Sequence, residues 1–66
     1  MHITAEVVGE QTHEIDLTRE ATYADLLHEV GLNPHEATVL VDGRPVPDDG
    51  PVTVEHVRVL RLIKGG

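Results

Sequence analysis

The chain has 66 residues, no cysteine and a formal net charge of −7, so it can form one small domain without disulfides and is a poor partner for nucleic acid. Its apolar runs are far shorter than the ~20 residues of a membrane span, and its N-terminus lacks the basic-then-apolar order of a signal peptide. We therefore expect a cytoplasmic protein that binds neither nucleic acid nor membrane.

The charge is divided unevenly along the chain. Residues 1–57 hold all twelve acids but only Arg19 and Arg44, a net charge of −10, whereas residues 58–66 carry a net charge of +3. An acidic body with a single lysine indicates a halophilic protein, because a Debye length of about 3 Å at 1 M salt screens the self-repulsion of the carboxylates. We expect the melting temperature to rise from low to molar salt, and an unchanged melting temperature would contradict this.

The N-terminal segment predicts a β-hairpin. Apolar and polar residues alternate from residue 2 to residue 8 and again from residue 12 to residue 17, with Gly9 between the two runs. This period of two is typical of strands with one buried face. Val8 interrupts the alternation, and we interpret it as a bulge.

One helix is predicted next. Thr22 is a suitable N-cap, Asp25 follows it at the spacing of a capping box, and Gly31 marks the end. Four apolar side chains recur at helical spacing and form one stripe that would pack on the sheet: Tyr23, Leu26, Leu27 and Val30. The segment 34–37 is expected to add one further turn.

The second half of the chain is predicted to return to strands. Residues 38–41 are strand-forming, and Asp42-Gly43 is a tight-turn dipeptide. Residues 44–46 form only a short edge strand because Pro45 has no amide hydrogen. Residues 47–51 form a surface loop, and the last strand runs from Thr53 or Glu55 to Leu62.

This order of elements predicts an α+β fold, the β-grasp, with a mixed four- to five-stranded sheet and one helix packed across it. The first and last strands are expected to lie parallel at the centre of the sheet, flanked by the two hairpins. We assign residues 1–62 to the domain and residues 63–66 to a flexible C-terminal tail.

The sequence ends on Gly65 and Gly66, directly after a strand-forming, basic segment. Glycine has no Cβ, so a terminal diglycine can enter a narrow channel and present an unhindered carboxylate. That carboxylate becomes electrophilic only when it is activated, for example as an acyl-adenylate. The alternative is an ordinary disordered terminus in which two glycines occur together by chance.

Four segments carry a resemblance that covers nearly the whole chain. They are 22–26 (TYADL), 34–36 (PHE), 38–47 (TVLVDGRPVP) and 59–66 (VLRLIKGG). Through them the chain resembles the small archaeal modifier proteins, which are ubiquitin-like. Its end also resembles the Leu-Arg-Leu-Arg-Gly-Gly end of ubiquitin, with Ile63 inserted and Lys64 in place of the last arginine. More distantly, the chain is similar to the sulfur-carrier subunits of molybdopterin and thiamine synthesis.

The resemblance implies a protein modifier and not an enzyme. A ubiquitin-activating-type (E1-like) enzyme would use ATP to adenylate the carboxylate of Gly66, and the acyl group would pass to lysines of target proteins by an isopeptide bond. The same acyl group could instead become a thiocarboxylate that supplies sulfur-transfer and tRNA thiolation enzymes. The resemblance also implies a deconjugating protease as a partner. We expect a monomer without catalytic residues or a bound cofactor.

Two other functions stay open. One is a dedicated sulfur carrier for molybdopterin or thiamine synthesis, and the other is a noncovalent β-grasp binding module in which the diglycine is incidental. The products distinguish them, because conjugation leaves isopeptide adducts on lysines and sulfur transfer exchanges one oxygen for sulfur on the free chain.

Strand parity predicts a docking patch. If Val57 and Val59 point into the core, Leu60 and Leu62 point outward, and Leu40 does so on the neighbouring strand. Leu40 and Leu60 would then lie side by side, although exposed leucines are common without any partner. The residues that we expect to contact partners are Leu40, Leu60, Arg61, Leu62, Ile63 and Lys64.

Two residue types were considered as further sites. Lys64 is the single candidate acceptor lysine, since Arg58 occupies the position where members of the resembling family can carry a lysine, and a guanidinium is not an acyl acceptor. The five histidines show no metal-ligand spacing, so we expect no metal site. They are His2, His13, His28, His35 and His56.

Overall fold

The computed structural model describes residues 1–62, and the predicted flexible tail 63–66 lies outside the described residues. Five strands and one helix follow in the predicted order: β1 His2–Val7, β2 Thr12–Asp16, α1 Tyr23–Glu29, β3 Ala37–Val41, β4 Arg44–Val46 and β5 His56–Arg61. The strands form one sheet in the order β2-β1-β5-β3-β4. The predicted mixed sheet with a single helix is confirmed.

The centre of the sheet is the parallel pair of β1 and β5. Ala5 pairs with Val57 and Val7 pairs with Val59, whereas β1–β2, β3–β4 and β3–β5 are antiparallel. Because β5 lies between β1 and β3, the strand that precedes the diglycine is held by hydrogen bonds on both sides. β5 is therefore paired on both sides at Arg58 and Val59, and its last two residues, Leu60 and Arg61, pair with β3 alone.

Helix α1 begins with the predicted capping box. The backbone N–H of Asp25 donates to Thr22 Oγ1 at 3.3 Å, and Thr22 N–H donates to Asp25 Oδ2 at 2.9 Å. The chain leaves the helix through Gly31, whose φ of 81° is easily reached only by glycine. No helix among residues 1–62 is long and apolar enough to cross a membrane.

The 47–51 loop is exposed as predicted, but its backbone also completes the helix start. Tyr23 N–H donates to the carbonyl of Gly50 at 3.1 Å, and Ala24 N–H donates to that of Asp48 at 2.8 Å. These amides belong to the first helical turn and have no acceptor inside the helix. The loop thus satisfies two donors that the Thr22 side chain does not.

The core lies between α1 and one face of the sheet. It consists of Ile3, Ala5, Val7, Leu17, Ala21, Tyr23, Leu26, Leu27, Ala37, Val39, Val52, Val57 and Val59. Three of the four residues in the predicted helical stripe are buried, and the fourth, Val30, packs against the cluster. Ala21 and Val52 were not predicted. They are buried because Val52 N–H donates to the carbonyl of Ala21, which draws the segment after the loop under the helix start.

Several predicted boundaries were wrong. Val8 is not a bulge within β1 but the first residue of the turn into β2, and 42% of its surface is exposed. β2 ends at Asp16 and not at residue 17, β3 begins at Ala37, and β5 spans His56–Arg61 and not Thr53 or Glu55 to Leu62. The Asp42-Gly43 turn is confirmed, since both residues have positive φ, 53° and 79°, as a two-residue hairpin loop of this kind requires.

Candidate functional site

The tail leaves the domain at a fixed point. Leu62, the last described residue, donates its N–H to the carbonyl of Glu36 at 2.8 Å, one residue after β5 ends. The predicted attachment residues Gly65 and Gly66 lie outside the described residues, as do Ile63 and Lys64. The structure therefore gives the position of Leu62, the residue before the predicted tail 63–66.

Arg61 joins the base of the tail to the β1–β2 turn. Its Nη1 lies 3.2 Å from Glu10 Oε2, and 32% of the side chain is exposed. Its Nε is buried and has no hydrogen-bond partner among residues 1–62. Arg61 has the same parity on β5 as Val57 and Val59 and therefore lies on the helix side of the sheet, whereas Leu60 lies on the outer side.

The outer face of the sheet carries the two leucines of the predicted patch. Leu60 is 39% exposed, and Leu40 is half-buried. In the β3–β5 register, Leu40 pairs with Arg58 and Leu60 pairs with Thr38. The leucines are thus diagonal neighbours, about 7–8 Å apart. The prediction that they lie side by side was wrong, because it used strand parity without the register.

Each leucine lines its own shallow depression on the surface. Leu40 lines one of about 360 Å³ with His56 and Arg58. Leu60 lines one of about 490 Å³ with Val8, Gly9, Glu10 and Arg61. Since both are on the same face, a partner that covers Arg58 could fill both depressions.

Leu62 was predicted to point outward with Leu60, and this was wrong. Parity ends with the strand at Arg61, and Leu62 lines a depression of about 270 Å³ together with Leu27, Pro34 and Val46 on the helix side. It is nevertheless the most exposed large apolar side chain among residues 1–62, at 58%. Leu60 and Leu62 therefore face different sides of the domain.

Val8 lies next to Leu60 of the predicted patch, and the sequence interpretation missed it. Its N–H donates to the carbonyl of Val59 at 2.9 Å, which places it beside Leu60 in the same depression. The sequence did contain a signal for this. Val8 follows Val7, which takes the inward position, so a second valine just before Gly9 indicates an exposed apolar side chain.

A polar cluster on the outer face connects β1 to β2. His2 Nε2 lies 2.6 Å from Glu14 Oε1, His2 Nδ1 lies 3.5 Å from Asp16 Oδ1, and Thr4 Oγ1 donates to Glu14 Oε1 at 2.9 Å. The hydrogen bond to Glu14 raises the pKa of His2, with Asp16 adding to the effect. The pKa of Glu14 is lowered by the hydrogen bonds from His2 and then Thr4.

We expect this pair to stabilise the hairpin only within a defined pH range. His2 contributes fully below its ordinary pKa of 6.5, and its contribution is lost as pH rises through the higher folded value. Glu14 contributes above its ordinary pKa of 4.5, and its contribution is lost as pH falls through the lower folded value. An NMR titration should give a His2 pKa above 6.5, and Glu14→Gln should move it back toward 6.5. A His2 pKa that does not respond to Glu14→Gln would contradict the contact.

The other histidines do not form a site within residues 1–62. No group of three or more His, Cys, Asp or Glu side chains converges there as a metal ion would require. The candidate acceptor Lys64 cannot be placed, because it lies outside residues 1–62.

Comparison with known proteins gives consistent matches over the full chain. Residues 1–63 match the family model described as small archaeal modifier protein 2. The chain is 62% identical over 66 residues to the small archaeal modifier protein 2 of Haloferax volcanii, and the match covers all of both proteins.

Two solved structures are similar to the fold. The crystal structure of the H. volcanii protein superposes with a TM-score of 0.76 at 61% identity and covers 97% of each chain. A computationally designed protein based on human erythrocytic ubiquitin superposes with a TM-score of 0.73 at 20% identity, covering 98% of this chain and 95% of that one. The second likeness concerns the fold alone.

Proposed function

The chain belongs to the small archaeal modifier protein 2 family of ubiquitin-like modifiers, and from that premise we propose that the carboxylate of Gly66 is adenylated by an E1-like enzyme and joined to lysines of target proteins. The observation that carries the proposal is the position of Leu62, the residue before the predicted tail. Leu62 is hydrogen-bonded to Glu36 and directly follows β5, the strand that lies between β1 and β3.

The length of the tail supports this role. Four residues follow Leu62, and an extended chain spans at most about 3.6 Å per residue, or roughly 14 Å here. An adenylating enzyme can therefore hold the domain by its outer face while the diglycine enters a separate active site. The fixed base at Leu62 restricts the directions in which the carboxylate can be presented.

The chemistry needs no catalytic group from this chain. The Gly66 carboxylate attacks the α-phosphorus of ATP, pyrophosphate leaves, and an acyl-adenylate forms. The ε-amine of a target lysine then attacks the acyl carbon, AMP leaves, and the amine loses a proton as the isopeptide bond forms. The chain supplies an unhindered acyl group, because neither of its last two residues has a side chain.

The same acyl-adenylate is open to hydrosulfide: its sulfur would bond to the acyl carbon, AMP would leave, and loss of a proton would give a thiocarboxylate on Gly66. We propose that this second product serves tRNA thiolation enzymes and that the isopeptide is removed by a deconjugating protease. A dedicated sulfur carrier for molybdopterin or thiamine synthesis would form only the thiocarboxylate. The two functions share every step up to the adenylate and differ in the nucleophile.

Isotope exchange between labelled pyrophosphate and ATP tests the first step. With the E1-like enzyme present, exchange should depend on the full-length chain and should disappear when Gly66 alone is removed. A chain that carries Lys64→Arg is the matched control, since it retains the diglycine and the positive charge. Exchange that continues without Gly66 would exclude adenylation at this carboxylate.

We expect Leu40→Asp to weaken activation without unfolding the domain. Leu40 is half-buried on the outer face, and loss of an apolar contact of about 1.5–3 kcal/mol corresponds to at least a tenfold rise in KM for the activating enzyme. The measurement is the KM for this chain in pyrophosphate exchange, with Thr53→Asp on the exposed loop as the matched charge control. Equal KM values for the two variants would remove Leu40 from the docking patch.

A further inference from the structure

The sheet has one free edge long enough to bind another strand. Among residues 1–62, β2 pairs only with β1, whereas the opposite edge is β4, which spans three residues and contains Pro45. Proline cannot donate to a strand ladder, so β4 is a poor template. The five residues Thr12–Asp16 of β2 are therefore the edge to consider.

The register shows which backbone groups of β2 are free. The amine of Met1 donates to the Leu17 carbonyl and Leu17 N–H donates to the Met1 carbonyl, at 2.7 and 2.8 Å, so this pair exchanges both bonds. In an antiparallel ladder, pairs that exchange both hydrogen bonds alternate with pairs that exchange none. Thr4, opposite Glu14, indeed donates away from β2, to the carbonyl of Glu55 at 2.8 Å.

The N–H and C=O groups of Thr12, Glu14 and Asp16 consequently point out of the sheet. Their partners on β1 are Glu6, Thr4 and His2, which form the non-hydrogen-bonded pairs of this hairpin. The edge thus offers donors and acceptors at the spacing of a strand, without a partner among residues 1–62.

A groove between β2 and α1 lies beside this edge. It has a volume of about 380 Å³, and its lining includes the apolar side chains Leu17 and Ala21 and the carboxylates of Asp16, Asp25 and Glu29. Asp25 Oδ2 also accepts a hydrogen bond from the Thr22 N–H. No arginine or lysine lines the groove.

We propose that β2 and this groove bind an extended segment of another protein, one with alternating aliphatic and basic side chains, by adding it as a sixth strand. Its backbone would pair with Thr12, Glu14 and Asp16. Because its side chains alternate between the two faces, its aliphatic side chains would face Leu17 and Ala21 on the helix side, and its basic side chains would approach the carboxylates of Glu14 and Asp16 on the outer face.

Charge selects this occupant over a second copy of the chain. Two β2 strands paired with each other would bring the carboxylates of Glu14 and Asp16 together, and like charges across a strand pair are destabilising. The cationic strand of the domain, β5, is the central one and has no free edge. A basic strand from a different protein can pair with the free N–H and C=O groups of β2 without this repulsion.

The surface is also separate from the tail. β2 is two strands away from β5, about 10 Å at the usual strand spacing. The added segment could therefore be held while the tail is engaged or already joined to a target. The binding itself does not require the diglycine, so it can be tested independently of the proposed modifier function.

The test uses amide hydrogen exchange on the full chain with the probe peptide Lys-Val-Arg-Val-Lys-Val-Arg, capped at both ends. At a peptide concentration about ten times Kd, exchange at Thr12, Glu14 and Asp16 should slow about tenfold, because only the free fraction exchanges. His13 and Ile15, which already face β1, should change little. A peptide with Glu and Asp in place of the basic residues should leave all five amides unchanged.

Thr12→Pro separates edge pairing from charge, because Thr12 has an outward N–H and no carboxylate. Thr12→Pro removes that N–H and is compatible with the start of an edge strand, so it should weaken peptide binding at least tenfold, whereas Thr12→Ala keeps the N–H and should bind within about threefold of the parent chain. If Thr12→Pro fails to fold, Glu14→Pro compared with Glu14→Ala is the second pair of variants, and the proline should bind more weakly than the alanine. Protection confined to Leu40 and Leu60, or slowing that depends on protein concentration without peptide, would overturn the proposal.

Discussion

Deletion of Gly65 and Gly66 is expected to abolish every covalent product of this chain and to leave its thermal unfolding unchanged. The truncated chain ends on the carboxylate of Lys64, whose side chain would obstruct the narrow approach that the diglycine leaves open. The domain should remain intact, because every core residue among residues 1–62 lies at or before Val59. Conjugation is measured by the adducts formed on target proteins, and stability by the melting temperature.

The matched control for this deletion is Lys64→Arg, which keeps both glycines and the positive charge of the tail. It should form adducts at a rate within about threefold of the parent chain, a difference of roughly 0.6 kcal/mol in activation free energy. Adducts or tRNA thiolation that persist in the truncated chain would exclude both covalent functions. The noncovalent binding module would then be the remaining function.

The second large effect is expected in the core. Leu26 is completely buried, and Leu→Ala at such a site costs about 2–5 kcal/mol. A domain of this length has a total stability of about 3–10 kcal/mol, from roughly 0.05–0.15 kcal/mol per residue. Leu26→Ala should therefore remove a large part of the stability, seen in urea as a lower midpoint with an unchanged slope.

Leu62→Ala is the control for Leu26→Ala, since it makes the same chemical change at a side chain that is 58% exposed. Its effect on the free energy of unfolding should stay within about 0.5 kcal/mol, as is usual for surface substitutions. Equal destabilisation by the two changes would contradict the assignment of Leu26 to the core and Leu62 to the surface.

Local features could be predicted from the sequence because their causes are local. The capping box depends on Thr22 and Asp25 alone, and the hairpin turn depends on Asp42 and Gly43. The alternation of buried and exposed residues on β5 follows from the pleat of the strand. The order of these elements was then enough to predict the mixed sheet. One helix between two hairpins brings the first and last strands together as a parallel pair.

Features that depend on register or on distant contacts could not be predicted. The offset between Leu40 and Leu60 follows from the β3–β5 register, which parity does not determine. The burial of Val52 depends on its hydrogen bond to Ala21.

The contact between Arg61 and Glu10 could not be predicted for the same reason. Arg61 and Glu10 are separated by 51 positions in sequence, and their contact forms only when the β1–β2 turn approaches the end of β5. An ion pair that is this exposed contributes about 0–1 kcal/mol. Its main consequence is to direct one cationic side chain to the body and leave Leu62 as the exposed start of the tail.

The most direct test of the modifier function is the chemical identity of the bond at Gly66. Adducts of the chain, purified from cells that express it and digested with trypsin, should contain a Gly-Gly remnant on target lysines, because trypsin cleaves after Lys64. That remnant is the result we predict. If the chain carries only a single oxygen-to-sulfur exchange and no lysine bears the remnant, the chain is a sulfur carrier and the proposed conjugation is wrong.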